Sequence, residues 1–271
     1  MWIGCVQLSE ARNYRTLLWR PAPRLNVVSG LNAQGKTNLL EALGFIVTGR
    51  SFRTSRLAEI PRWGTEATTF TGDLVRGDTQ RTVRRVLNRL EDGTWQSTGD
   101  PAPEWARVIA FGSQDLEIVN GAPAARRNFM EGFAGRLYPN HIAALLRFRQ
   151  VLARRNRLLQ QGSHDAAHAG RLQPWNEQLA TVGMELIGRR RKAVAALQTE
   201  LARVYAALSG ARTKVEIRYG TSLGEATEPA ALLAALERRQ REEMRRRLTL
   251  VGPHRDDLAI EIDGVDARAF G

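Results

Sequence analysis

Gly30-Leu31-Asn32-Ala33-Gln34-Gly35-Lys36-Thr37 spells the pattern G-x-x-x-x-G-K-[ST], the signature of a phosphate-binding loop. An apolar stretch over residues 25–28 precedes it and a helical stretch over residues 38–47 follows, so strand, loop and helix come in the required order. The glycines let backbone N–H groups curl around phosphate oxygens, and the helix N-terminus adds a partial positive charge. Lys36 is placed to reach the β- and γ-phosphates, and the Thr37 hydroxyl to ligate Mg²⁺. All eight residues are therefore candidate ligands of a nucleoside triphosphate.

The rest of the composition narrows the partners. With 271 residues, 43% apolar and 25% charged, the chain has enough material for one large domain or two modest ones. No apolar run approaches the roughly 18–20 residues that span a bilayer. The start, Met1-Trp2-Ile3-Gly4-Cys5, lacks the features of a secretory signal. Cys5 stands alone, which excludes a disulfide framework and fits a reducing cytoplasm, and no Cys/His cluster has zinc-site spacing. The net charge of +12 is uneven: residues 121–250 carry 23 basic and 11 acidic side chains, whereas residues 251–271 carry 2 and 5. A basic middle segment points to a polyanion such as nucleic acid. The 37 arginines against three lysines also show a compositional bias, so charge alone does not decide the matter.

Strands are expected at residues 2–8, 25–29, 68–75, 81–87 and 108–111, with a turn at Asp92-Gly93 and a loop over residues 99–103. The helix after the phosphate loop should stop near Gly49. From residue 123 to 248 the period becomes helical. Leu145, Leu152 and Leu159 share one face, while Arg147 and Arg154 lie about 200° away. A second helix runs through Leu179 to Leu208, interrupted by Gly183 and Gly188, and a third covers residues 230–248. Between them residues 213–219 read as a short strand, and residues 258–263 as a strand entering an Asp-Gly turn. The expected fold is α/β: a nucleotide-binding lobe over residues 1–122, an inserted basic helical lobe over residues 123–249, and a return strand of the first lobe over residues 250–271.

A complete P-loop hydrolase also needs an apolar run ending in Asp, often followed by Glu, to hold Mg²⁺ and position water. None is found; residues 258–263 come closest, but Glu261 interrupts them. No Asn-Lys-x-Asp for guanine recognition occurs either. A P-loop phosphotransferase acting on a small molecule is the alternative reading, with the helical segment as lid, though about 120 residues is very large for a lid.

Three blocks carry a family resemblance. Residues 32–42, Asn-Ala-Gln-Gly-Lys-Thr-Asn-Leu-Leu-Glu-Ala, continue into Thr48-Gly49-Arg50-Ser51-Phe52-Arg53-Thr54. Asn13-Tyr14-Arg15 matches an early N-[FY]-R turn, and residues 250–258, Leu-Val-Gly-Pro-His-Arg-Asp-Asp-Leu, match a late motif. In order and over the whole chain, these resemble the RecF recombination mediators of bacteria. The resemblance implies an ABC/SMC-like ATPase head with a helical arm, which binds ATP with Mg²⁺ and forms a homodimer around two ATP molecules. It implies binding to gapped or single-stranded DNA at single-strand/double-strand junctions, and RecA loading with RecO and RecR in repair and replication-fork maintenance. A weak DNA-stimulated ATPase is expected of a full-length member. The signature motif and the acidic site should follow Gly271, so hydrolysis is not expected of these 271 residues.

The resemblance also places Gln114 where ABC-like heads carry a Q-loop residue. Arg50 and Arg53 follow the phosphate-loop helix, where guanidinium groups meet nucleotide or DNA phosphates. Arg126, Arg127, Arg147, Arg154, Arg155 and Arg157 are the helical-lobe candidates for DNA contact. His254 reads as part of a lobe-to-lobe hinge rather than as a general base. Asp256 and Asp257, adjacent in a strand, point to opposite faces and do not make a catalytic pair.

Overall fold

The first strand outruns its expected length. β1 (Trp2–Ala11) turns at Arg12 and Asn13 into β2 (Tyr14–Trp19), a strand not expected from the sequence. β3 (Ala67–Arg76), β4 (Thr79–Arg89) and β5 (Trp95–Gly99) complete an antiparallel sheet of order β2-β1-β3-β4-β5. The computed structural model describes residues 1–161, 166–210 and 213–270, which fall into two units, Met1–Phe111 and Gly112–Gly271.

In the first unit α1 (Lys36–Thr48) lies on the sheet through its apolar face. Phe45 packs on Phe70 with ring centroids 4.9 Å apart, and Ile46, Leu74, Val83 and Leu87 close the core around them. Gly72 permits the approach, since a Cβ there would sit 2.7 Å from Ile46 Cγ2. The helix stops at Gly49, as expected, with φ +67° and its N–H bonded to the Phe45 carbonyl.

Two expected strands are absent. Residues 25–29 and 108–111 pair with nothing among the described residues, and Leu25, Val27, Ile109 and Phe111 are 77–84% exposed. Apolar alternation creates a strand only where a neighbour supplies the ladder, and the sheet edges at β2 and β5 do not reach these segments.

The second unit is helical. It holds a short 3₁₀ turn at Ser113–Leu116, α2 (Glu117–Asn120), α3 (Pro123–Leu137), α4 (His141–Gln161), α5 (Ala166–Ser209) and α6 (Pro229–Arg246). Leu145, Phe148, Leu179, Leu186, Leu232 and Leu236 form its main core. Gly183 and Gly188 do not interrupt α5, contrary to expectation. Gly183 instead admits α6, because a Cβ would fall 2.7 Å from Leu232 Cδ2. β6 (Val215–Gly220), β7 (Asp257–Ile262) and β8 (Val265–Asp266) form a small sheet, with Asp263 and Gly264 both at positive φ in the turn. The expected return strand thus pairs with β6 inside the second unit rather than with the first. Among the described residues no helix is long and apolar enough to cross a membrane.

Two buried polar networks fix this unit. Arg155, fully buried, donates to Asn176 Oδ1 (2.7 Å), Thr249 Oγ1 (2.7 Å) and Glu243 Oε2 (2.6 Å). Glu243 also accepts the Leu250 N–H at 2.7 Å, tying α6 to the segment after it. In the second network Arg190 donates to Glu131, the Pro253 carbonyl and the Tyr219 hydroxyl, and Tyr219 donates to Asp256. Burial raises the Tyr219 and Asp256 pKa values, and it drives His254 down to about 4.

A candidate nucleotide-binding site

The phosphate loop owes its shape to two glycines and one strained alanine. Gly30 and Gly35 have φ of +149° and +100°, and Ala33 sits in the left-handed region at +66°, a conformation costing about 1–2 kcal/mol for an L-residue. At Gly35 a Cβ would lie 2.4 Å from Asn13 Nδ2, so space as well as φ demands glycine. Asn13 Nδ2 donates to the Gln34 carbonyl at 3.1 Å and the Tyr14 hydroxyl to the Gly35 carbonyl at 3.2 Å. The early Asn-Tyr-Arg block therefore braces the loop from behind.

At the helix start, α1 has no side-chain cap and no acidic residue in its first turn. Its leading N–H groups are left for an incoming anion, and no carboxylate opposes one. Lys36 folds back over the loop, with Nζ donating to the Gly30 and Leu31 carbonyls at 2.7 and 2.8 Å. It can trade these two bonds for charge-assisted ones to phosphate. Thr37 is exposed. Its hydroxyl is a hard oxygen donor of the kind that suits a divalent cation. Among the described residues no cluster of three or more Asp, Glu, His or Cys offers a protein-only metal site.

A buried carboxylate behind the loop ties the family blocks together. Glu41 is 2% exposed and receives Arg12 bidentately at 2.8 and 2.9 Å, Ser51 Oγ, and Arg53 at 3.3 Å. Burial alone would raise its pKa, but the Arg12 and Ser51 hydrogen bonds and the Arg12 and Arg53 charges outweigh it and hold the carboxyl below its ordinary value. Arg53 also donates to Asn38 Oδ1 at 2.6 Å, and Asn38 donates to Asn13 at 2.8 Å. Sequence reasoning assigned a role to Arg53, whereas Asn38, Glu41 and Ser51 stood in the family blocks without one and Arg12 was not marked. Their signal was the conjunction of an early Arg and a mid-helix Glu on an otherwise apolar face.

Beside this cluster opens a cavity of about 560 Å³, lined by Arg12, Asn13, Asn38, Arg53, Arg62 and Trp63. The Trp63 ring is 94% exposed at its rim. An aromatic face left in water offers a stacking platform for a base. Sequence reasoning missed Trp63 because nothing in its spacing distinguishes it.

The remaining candidates scatter. Arg50 is exposed. Arg126 is 3% exposed and held bidentately by Asp257 at 2.8 and 2.9 Å. Like Arg155, it is withdrawn as a DNA contact, because each buried guanidinium is committed to a carboxylate. Arg127 donates to the Asp256 carbonyl, Arg147 pairs with Glu185 at 3.4 Å, and Arg154 lies 5.5 Å over the Trp175 ring. Arg157 is exposed. Gln114 lies in the Ser113–Leu116 turn, and its side chain is outside what the structure describes. His254 Nε2 donates to the Thr249 carbonyl at 3.0 Å, a contact within the second unit that stiffens a turn. Asp256 precedes β7 rather than lying in a strand with Asp257, and the two carboxylates have different partners, Tyr219 and Arg126.

No family model matches the chain. It is similar over its whole length to proteins described as DNA replication and repair protein RecF. It is 33% identical to that of Heliobacterium modesticaldum, covering 76% of the relative. It is 35% identical to that of Lactobacillus delbrueckii subsp. bulgaricus, covering 74%. Among solved structures it resembles the recombination mediator protein RecF in complex with ATP, described as part of the RecFOR pathway. That match has a TM-score of 0.80 and 25% identity over all of this chain and 75% of the other.

Proposed function

The chain belongs to the RecF family, and from that premise we propose that it is an ATP-controlled DNA-binding protein of recombinational repair. The uncapped, acid-free start of α1 behind the phosphate loop carries this reading, because it is built for an anion and Lys36 already stands at its mouth. ATP binds with its triphosphate on residues 30–37, Mg²⁺ on Thr37 and its base against Trp63. The base assignment rests on the cavity that joins Asn13, beside the loop, to the exposed indole.

Base stacking on an aromatic face is worth about 1–3 kcal/mol. Trp63→Ala should therefore weaken ATP about ten-fold or more and leave inorganic tripolyphosphate unchanged in calorimetric titration. Equal losses for both ligands would remove Trp63 from the base site.

The relatives' role as recombination mediators extends the proposal to a homodimer with ATP at its interface. That dimer acts on gapped DNA at single-strand/double-strand junctions, with RecO and RecR as partners and RecA as the protein finally loaded. Anisotropy of a labelled gapped duplex, titrated with and without ATP and Mg²⁺, tests the switch. Binding should tighten with ATP; identical curves would refute nucleotide control.

A further inference from the structure

We propose that the solvent face of α6 is the docking surface for the phosphodiester backbone. This rests on the DNA-binding reading above and gives it a location. Six of the eleven residues from 237 to 247 are arginines, and all six are exposed. Arg238, Arg241 and Arg245 fall within about 60° of one another around the axis, and the stretch to Arg246 covers about 12 Å. Phosphates along one strand are close enough for this length to meet two or three of them.

Charge alone does not single out this face; the partners of each arginine do. Elsewhere in the second unit the guanidinium groups are largely committed. Arg126, Arg155 and Arg190 are buried on carboxylates, Arg147 and Arg189 share Glu185, and Arg218 is on Glu261. On α6 Arg239 and Arg246 both pair with the same Glu242, whose pKa is lowered by the Arg239 hydrogen bond and also by the Arg245 charge. Arg238, Arg241 and Arg247 have no acidic partner among the described residues.

Cations in a last helical turn complement the helix dipole, which accounts for Arg245 and Arg246. Arg238 and Arg241 lie earlier than that turn and receive no such support. An open cleft of about 440 Å³ lies beside this stripe, where Arg238 meets Arg239, Glu242, Arg246, Leu250 and Arg255; Arg241 and Arg245 do not line it. Four guanidinium groups against one carboxylate make it a site for an extended anion, and planar Arg forks match phosphate oxygens.

The test uses Arg238→Ala/Arg241→Ala, which removes no ion pair, with Arg136→Ala on α3 combined with Arg149→Ala on α4, both exposed, as the comparison. Affinity for a fluorescein-labelled oligothymidylate and for a duplex is measured against salt concentration. Each phosphate contact contributes about 0.9 to the log–log salt slope on a duplex and about 0.7 on a single strand, so the α6 pair should lower it by about 2 and about 1.4 and reduce affinity roughly sixty-fold and roughly twenty-five-fold near 0.1 M salt. Both DNA forms should be affected, since backbone contacts carry no sequence information. The comparison pair should leave the slope unchanged. An unaltered slope in the α6 variant, with normal binding by the parent, overturns the location alone. Absence of DNA binding by the parent overturns the DNA reading itself. Loss of poly-glutamate binding with DNA binding intact would assign the face to an acidic protein and overturn the proposal.

Discussion

Lys36→Ala should bind ATP at least a hundred-fold more weakly than the parent protein, in a calorimetric titration at neutral pH. Lys36 is the only lysine in the first unit, the others being Lys192 and Lys214, so no neighbouring ammonium can replace it. Its Nζ now rests on two loop carbonyls at 2.7 and 2.8 Å, at the position where a triphosphate would enter. Hydrogen bonds to charged groups contribute about 1.5–3 kcal/mol each, and the lysine can make two to the β- and γ-phosphates. The loss is thus about 3 kcal/mol or more, which corresponds to at least a hundred-fold in affinity. Folding should be spared, because Lys36 is half-exposed and water can satisfy the vacated carbonyls. Unchanged ATP affinity in a folded variant would mean that residues 30–37 are not the triphosphate site.

The second large effect is on stability. Glu243→Ala leaves the fully buried Arg155 guanidinium with Asn176 and Thr249 but without its counter-charge. It also removes the acceptor of the Leu250 N–H. Breaking one side of a buried pair costs about 3–5 kcal/mol, since the remaining charge cannot be hydrated. The urea midpoint of the transition that reports the second unit should fall accordingly. Glu242→Ala, one residue earlier and on the wet side of α6, should barely move it. Equal effects from the two substitutions would show that Arg155 finds water or another partner, and that the network does not fix the unit.

The sequence announced some features and hid others for physical reasons. The phosphate loop was readable because its chemistry depends on residue types at fixed spacing. The Gly49 cap was readable because left-handed backbone selects glycine. The long helices were visible from leucine spacing in α4 and α5. β2 and β5 were missed: each is short, mostly exposed and lies at a sheet edge, so neither shows apolar alternation. The strands expected at residues 25–29 and 108–111 failed for the opposite reason. Their side chains are right for a strand, but pairing is a property of the neighbour and not of the segment. Among candidate contacts, a one-dimensional pattern cannot separate a solvated arginine from a buried one. Arg154 and Arg155 are adjacent, yet one lies on an indole at the surface and the other is sealed on Glu243. Arg12, Glu41 and Ser51 meet from three separate elements, the β1–β2 turn, α1 and the segment after it, a convergence visible only once the chain is folded.

The two unpaired segments beside the first unit's sheet also bear on how the protein behaves in a tube. Leu25, Val27, Ile109 and Phe111 present oily, unpaired backbone with open donors and acceptors, the surface that recruits a second chain edge to edge. The net charge of +12 keeps copies apart at low ionic strength. Added salt shortens the reach of that repulsion and does nothing to weaken the apolar attraction. Turbidity and apparent mass should therefore rise with salt under the same conditions in which nucleic acid lets go. Dilute protein and light-scattering controls are what keep these two opposite responses from being mistaken for one.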